Sequence, residues 1–130
     1  MNYILIVDDH ADIRRLLSIT LGRQFDILEA NNGTTALEAI RRYRPKLVLL
    51  DVMMPGELDG LQVLDAIKAD PATWDTVVGM VTARGQQSDS EQGRKRGADA
   101  YFVKPFSPLQ IVTWVREHMA ADMLQANANA

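Results

Sequence analysis

The chain has 130 residues, 47% of them hydrophobic, with a net charge of −3 and no cysteine. That length and apolar content suit one domain with a sizeable core. The absence of cysteine excludes disulfides and thiol chemistry. The mild acidic balance argues against direct nucleic-acid binding. No apolar stretch is long enough to span a membrane and no signal-like segment precedes the first apolar run, so the expectation is a cytoplasmic protein without membrane contact.

Short apolar runs alternate with amphipathic stretches, the pattern of βα units around a parallel sheet. Tyr3 to Val7 is the first run and ends in Asp8-Asp9. Either acid is a candidate N-cap for the helix that starts near His10. Residues 10–22 place Ile13, Leu16, Leu17 and Thr20 at helical spacing, with Gly22 as the stop. Asp26 to Glu29 predicts a short second strand, and Asn31-Asn32-Gly33 is turn chemistry. Thr34 or Thr35 is the expected cap of a helix reaching Tyr43, with Ala36, Leu37 and Ile40 inward and Pro45 beyond its end.

Leu47-Val48-Leu49-Leu50 runs straight into Asp51, as expected of a strand buried on both faces. Met53-Met54-Pro55-Gly56 then turns the chain. Asp59 is the expected cap of a third helix with Leu61, Leu64 and Ile67 inward, ended by Ala69-Asp70-Pro71. Val77 to Val81 predicts a fourth strand closing on Thr82-Ala83. Gly79 leaves a hole in it, with Trp74 as the expected filler. From Arg84 to Gly97 there is no aliphatic or aromatic residue, so a fourth helix near residues 88–96 is expected to be short, loosely docked and mobile. Ala100 to Val103 predicts a fifth strand closing on Lys104-Pro105. Ser107 and Pro108 open a last helix with Ile111, Val112, Val115 and Met119 on its core face and Trp114 off it, either marking a partner surface or partly buried against a neighbour. Domain boundaries follow: 1–121 folded, and 122–130 a frayed helix end or flexible tail or linker.

Each strand thus delivers a polar group at the same end. Asp8, Asp9 and Asp51 would converge if the first and third strands are parallel neighbours. Carboxylates that close raise one another's pKa unless a cation relieves them, and hard oxygen ligands suit Mg²⁺. Acids, a hydroxyl at Thr82 and an ammonium at Lys104 make a site for a phosphoryl group. His10 reads as a surface histidine in a first helical turn, since Mg²⁺ prefers oxygen to imidazole. His118 reads as an exposed helix-terminal histidine.

The motifs Ile6-Val7-Asp8-Asp9, Leu50-Asp51-Val52-Met53-Met54-Pro55-Gly56, Asp59-Gly60, Val81-Thr82-Ala83, Gly97-Ala98-Asp99 and Lys104-Pro105-Phe106 stand in one order over roughly residues 2–119. In this the chain resembles the response-regulator receiver domains of two-component signalling. The resemblance implies a flavodoxin-like doubly wound (βα)5 fold, with a five-stranded parallel sheet in the order 2-1-3-4-5. It implies that Asp51 is the phosphoacceptor, with Mg²⁺ held by Asp9, Asp51 and the Met53 carbonyl, and by Asp8 mainly through water. Lys104 would pair with Asp51 and then with the phosphoryl group. Thr82 would move onto that group, Ala83 would offer its N–H, and Tyr101 would be the switch aromatic. The Lys104–Pro105 bond would be cis. The loop after Asp51 holds one residue more than the family pattern.

The implied function is a switch phosphorylated by a histidine kinase or phosphotransfer protein. Its partners would include an unknown downstream protein or a missing effector domain, and it could form a phosphorylation-dependent dimer. It would be no enzyme beyond its own phosphorylation and dephosphorylation. The alternative is a degenerate receiver acting as a phosphorylation-independent interaction module. An aspartyl-phosphate hydrolase would need a second acid where Met53 stands.

Overall fold

The computed structural model describes residues 3–83, 91 and 94–128, with side chains described as far as residue 119. The fourth helix expected near residues 88–96, with its loose docking, lies largely outside the described residues. The elements in order are β1 (Tyr3–Val7), α1 (Ala11–Leu21), β2 (Asp26–Ala30), α2 (Gly33–Tyr43), β3 (Leu47–Asp51), α3 (Gly60–Ala69), β4 (Val77–Ala83), β5 (Ala100–Lys104) and a C-terminal helix (Pro108–Ala128). The strands form one parallel sheet in the order β2-β1-β3-β4-β5. This is the doubly wound, flavodoxin-like architecture that the resemblance implies. Among the described residues no helix is long and apolar enough to cross a membrane.

The uninterrupted apolar runs reflect burial on both faces of the sheet. Alternate strand residues feed two separate cores. Leu5, Val7, Val48, Leu50, Val78 and Met80 pack under α2 and α3, against Ala36, Ile40, Leu61, Val63, Leu64 and Ile67. Ile4, Ile6, Leu47 and Leu49 pack under α1 and the C-terminal helix, against Leu17, Leu21, Ile111, Val112, Val115 and Met119. On α1 the buried stripe is Leu17 and Leu21, whereas Leu16 is 44% exposed and Ile19 66% exposed. The spacing that groups Leu16 with Leu17 is therefore only half right.

Two local expectations need correction. Helix α2 begins at Gly33, before Thr34 and Thr35, and its cap is Asn32, whose side chain accepts the Thr35 N–H at 2.8 Å. At α1 the cap position is His10, with neither Asp8 nor Asp9 standing there. The Asp59 expectation holds in full: Asp59 and Gln62 form a reciprocal capping box.

The filler at Gly79 is Trp114. A Cβ at Gly79 would lie 2.8 Å from Trp114 Cζ3 and 3.3 Å from Leu49 Cδ2. The indole also meets Phe102 edge-on, with centroids 5.5 Å apart. Trp74, by contrast, is 61% exposed. The reason is parity. Gly79 pairs with Leu49, which faces the C-terminal helix, while Trp74 follows α3 on the opposite layer.

Candidate functional site

Parallel pairing brings the strand ends to one edge. Val7 aligns with Leu50, Asp51 with Val81, and Ala83 with Lys104. Each polar residue just beyond an apolar run therefore emerges at the carboxyl edge, where open α/β sheets place their sites. Asp8, Asp9 and Asp51, joined by His10, offer ligand atoms that all lie within 4.8 Å of one another. Lys104 reaches across from β5, its Nζ 3.1 Å from Asp8 Oδ2 and 3.4 Å from Asp51 Oδ2. The Lys104–Pro105 peptide is cis.

Asp8 and Asp51 are only 2% and 3% exposed, so their charges interact with little screening by water. Asp8 is fastened on three sides. Its Oδ1 accepts the His10 backbone N–H at 2.8 Å, its backbone carbonyl accepts from Arg14 at 2.8 Å, and its own N–H donates to Ala30 O. Asp51 Oδ1 accepts the Met53 N–H at 3.2 Å. The turn beyond is pinned by Val52 N–H to Val81 O and Gly60 N–H to Val52 O.

Burial, and then the neighbouring Asp8 carboxylate, push the Asp51 carboxyl from its ordinary 3.8 up to about 7. Lys104 and the Met53 N–H pull the other way and are outweighed. For Lys104 the balance is reversed: burial alone would lower its pKa, but Asp51 and Asp8 more than offset this and raise it. A carboxyl whose folded pKa exceeds its unfolded value contributes stability that is present below about pH 4 and lost as pH rises through about 7. The metal-free protein should therefore lose up to roughly 1.4 kcal/mol per pH unit through this window from Asp51 alone. Urea melts at pH 5 to 8 should show a flatter stability profile for Asp51→Asn than for wild type. Parallel profiles would contradict this assignment.

Three carboxylates face one ammonium here, and Asp9 Oδ1 is buried without a hydrogen bond from any described residue. An oxygen-rich donor set with surplus negative charge and an unsatisfied buried oxygen fits a hard divalent cation. Asp9→Asn should stabilise the metal-free protein by about 1 kcal/mol, because it removes a repelling charge and gives up only the half-exposed contact with the His10 ring. Asp8→Asn should not gain as much, since it also gives up the short Lys104 contact. Thermal melts without divalent metal, showing Asp9→Asn below wild type, would contradict the repulsion argument.

Thr82 is buried at the end of β4, one residue beyond the partner of Asp51, and Ala83 follows it, exposed. Tyr101 is half-buried against the α2–α3 core, with the Arg94 guanidinium 5.9 Å from its ring centroid. Met53 is 58% exposed beside Asp51. The loop after Asp51 turns at Gly56 (φ 108°) and folds Leu58 back against Gly33. With residues 31–34 it walls a groove of about 480 Å³ that reaches Asp9. Two more residues border this site: His10, exposed as the sequence suggests but in contact with the acids, and Arg14, which the sequence does not mark. His10 Nδ1 lies 3.2 Å from both Asp8 Oδ1 and Asp9 Oδ1, and Arg14 ties the Asp8 backbone while also pairing with Glu29. The only signal for Arg14 was its place on α1 six residues after Asp8.

Residues 4–116 match the family model of the response regulator receiver domain, and the chain belongs to that family. It is 43% identical over 116 residues to the transcriptional regulatory protein SrrA of Staphylococcus aureus, covering 88% of this chain and 46% of that protein. The crystal structure of the receiver domain of NtrX from Brucella abortus superposes with a TM-score of 0.82 at 32% identity, over 90% of this chain and 98% of that one. A longer NtrX structure matches 99% of this chain but only 29% of its own length, with a TM-score of 0.84. The chain thus spans about half the length of the curated relative it matches.

Proposed function

We propose that this receiver domain is a phosphorylation-activated switch of a two-component phosphorelay, with Asp51 as the phosphoacceptor. The observation that carries the reading is the position of Lys104 Nζ, between the buried Asp8 and Asp51 carboxylates at the carboxyl edge of the sheet. An Asp51 oxygen attacks phosphorus and forms an O–P bond as the P–N bond to a donor histidine, or the P–O bond of an acyl phosphate, breaks. The donor leaves with that electron pair. Lys104 gives a charge-assisted bond to Asp51 before transfer and to the phosphoryl oxygens after it. The Thr82 hydroxyl and the Ala83 N–H donate to those oxygens, and Tyr101 fills the space that Thr82 vacates.

Asp9, Asp51 and the Met53 carbonyl would hold Mg²⁺, with Asp8 contributing mainly through water. When bound, the ion neutralises the charge shared by acceptor and phosphoryl group. The raised Asp51 pKa makes that neutralisation matter: near pH 7 the metal-free nucleophile is only partly ionised.

The phosphoryl group comes from a histidine kinase or phosphotransfer protein in the cytoplasm. The output passes to a protein partner or to an effector domain in a longer regulator, with the folded unit ending near residue 121. The similarity to SrrA, a transcriptional regulatory protein of about twice this length, supports an effector beyond the receiver. The domain catalyses only its own phosphorylation and dephosphorylation.

Intact mass spectrometry after incubation with acetyl phosphate tests this. Wild type with Mg²⁺ should gain one phosphoryl group, and neither Asp51→Asn nor a chelated sample should. No gain on wild type, together with no beryllofluoride binding, would favour a fixed interaction module instead.

A further inference from the structure

We infer that His10 is a nitrogen ligand of the metal centre and biases it toward borderline divalent cations such as Co²⁺ over Mg²⁺. The inference rests on the metal-binding part of the reading above and adds a residue to it. His10 stands at the cap position of α1 with extended backbone (φ −88°, ψ 114°), immediately after the acid pair. Its Nδ1 lies 3.2 Å from Asp8 Oδ1 and 3.2 Å from Asp9 Oδ1. The ring, 65% exposed overall, turns its inner nitrogen toward the two carboxylates.

Two features mark this as more than an acidic cluster. Asp9 Oδ1 is buried and, despite the nearby ring, accepts no hydrogen bond from any described residue. The groups gathered around it are mixed, the Asp9 and Asp51 carboxylates with one imidazole and Asp8 behind them, with one potential ligand atom of each within 4.8 Å of the others. An all-oxygen set suits Mg²⁺, whereas adding an imidazole favours the later first-row divalent ions.

Ligation asks little of the protein. In the metal-free arrangement Nδ1 is in hydrogen-bond contact with Asp8 Oδ1. A bound cation takes the place of that proton, and the ring adopts the tautomer protonated at its outer nitrogen, Nε2. No backbone shift is required of Asp8, because its Oδ1 is held separately by the His10 N–H at 2.8 Å.

The test is calorimetric titration of Mg²⁺ and Co²⁺ into wild type, His10→Ala, His118→Ala and Asp51→Asn, with the visible absorption of bound Co²⁺ read in parallel. His10→Ala should weaken Co²⁺ by about tenfold or more and change its absorption band, while Mg²⁺ affinity stays within about twofold. His118→Ala, which removes the other histidine, should match wild type for both ions. Unchanged Co²⁺ affinity and spectrum in His10→Ala would overturn the inference, as would an equal loss of both ions. A wild type that binds no Mg²⁺, or binds it equally well as Asp51→Asn, would instead overturn the metal-binding part of the proposed function. Matched circular dichroism melts confirm that each variant is folded.

Discussion

Gly60→Ala is expected to destabilise the protein by about 3 kcal/mol and to abolish phosphoryl uptake at Asp51. Gly60 opens α3, and its N–H donates to Val52 O at 2.9 Å. A Cβ there would collide with the backbone carbonyl oxygen of Asp51 and lie 2.8 Å from Val52 Cα. These are main-chain atoms of the turn that aims Asp51, so no side-chain rotation relieves the clash. Either the start of α3 lifts from the sheet or the end of β3 shifts, and both displace Asp51. Urea unfolding checks the stability, and acetyl-phosphate labelling checks the chemistry. A variant with unchanged midpoint and full labelling would show that the turn yields more easily than close packing allows.

The second large effect concerns Lys104. Lys104→Met should cost the metal-free protein up to about 3 kcal/mol at pH 7.5, because it leaves the buried carboxylates without their ammonium until one of them takes up a proton. Asp8 and Asp51 would then face each other at 2% and 3% exposure without their ammonium. The sign of the rescue distinguishes this from lost packing. Mg²⁺ should stabilise Lys104→Met by more than it stabilises wild type, since the ion supplies the positive charge the variant lacks. Denaturant melts at pH 7.5 with and without MgCl₂ measure both increments. Equal increments would mean that the lysine's methylene stem, not its charge, is what the fold uses.

Much of the fold and of the site's layout is legible in the sequence. The strands were readable because two-sided burial writes an unbroken apolar run, and because each run stops at a polar residue. Those stops are Asp8, Asp51, Thr82 and Lys104, and parallel pairing alone brings them to one edge. The Asp59 cap was readable because a capping box is local chemistry. What escaped depended on which way a side chain turns. Trp114 looked off the core face of its helix, yet its length lets it reach across to the bare backbone at Gly79. The Asn32 cap was absorbed into a turn motif, since Asn serves both purposes. His10 is the surface residue the sequence suggests, but one-dimensional spacing does not show that its Nδ1 lies 3.2 Å from both acids. The Leu16 error has the same origin: adjacent leucines share a run, but only Leu17 points at the sheet.

The central claim is that Asp51, and no other residue, takes the phosphoryl group. Borohydride trapping tests it most directly, because an acyl phosphate on aspartate is reduced to homoserine while unmodified carboxylates are not. Wild type labelled with acetyl phosphate and Mg²⁺, then reduced and digested, should yield homoserine at position 51 only, and none when Mg²⁺ is chelated. Homoserine at Asp8 or Asp9, or none anywhere despite a mass gain on the intact protein, would contradict the account.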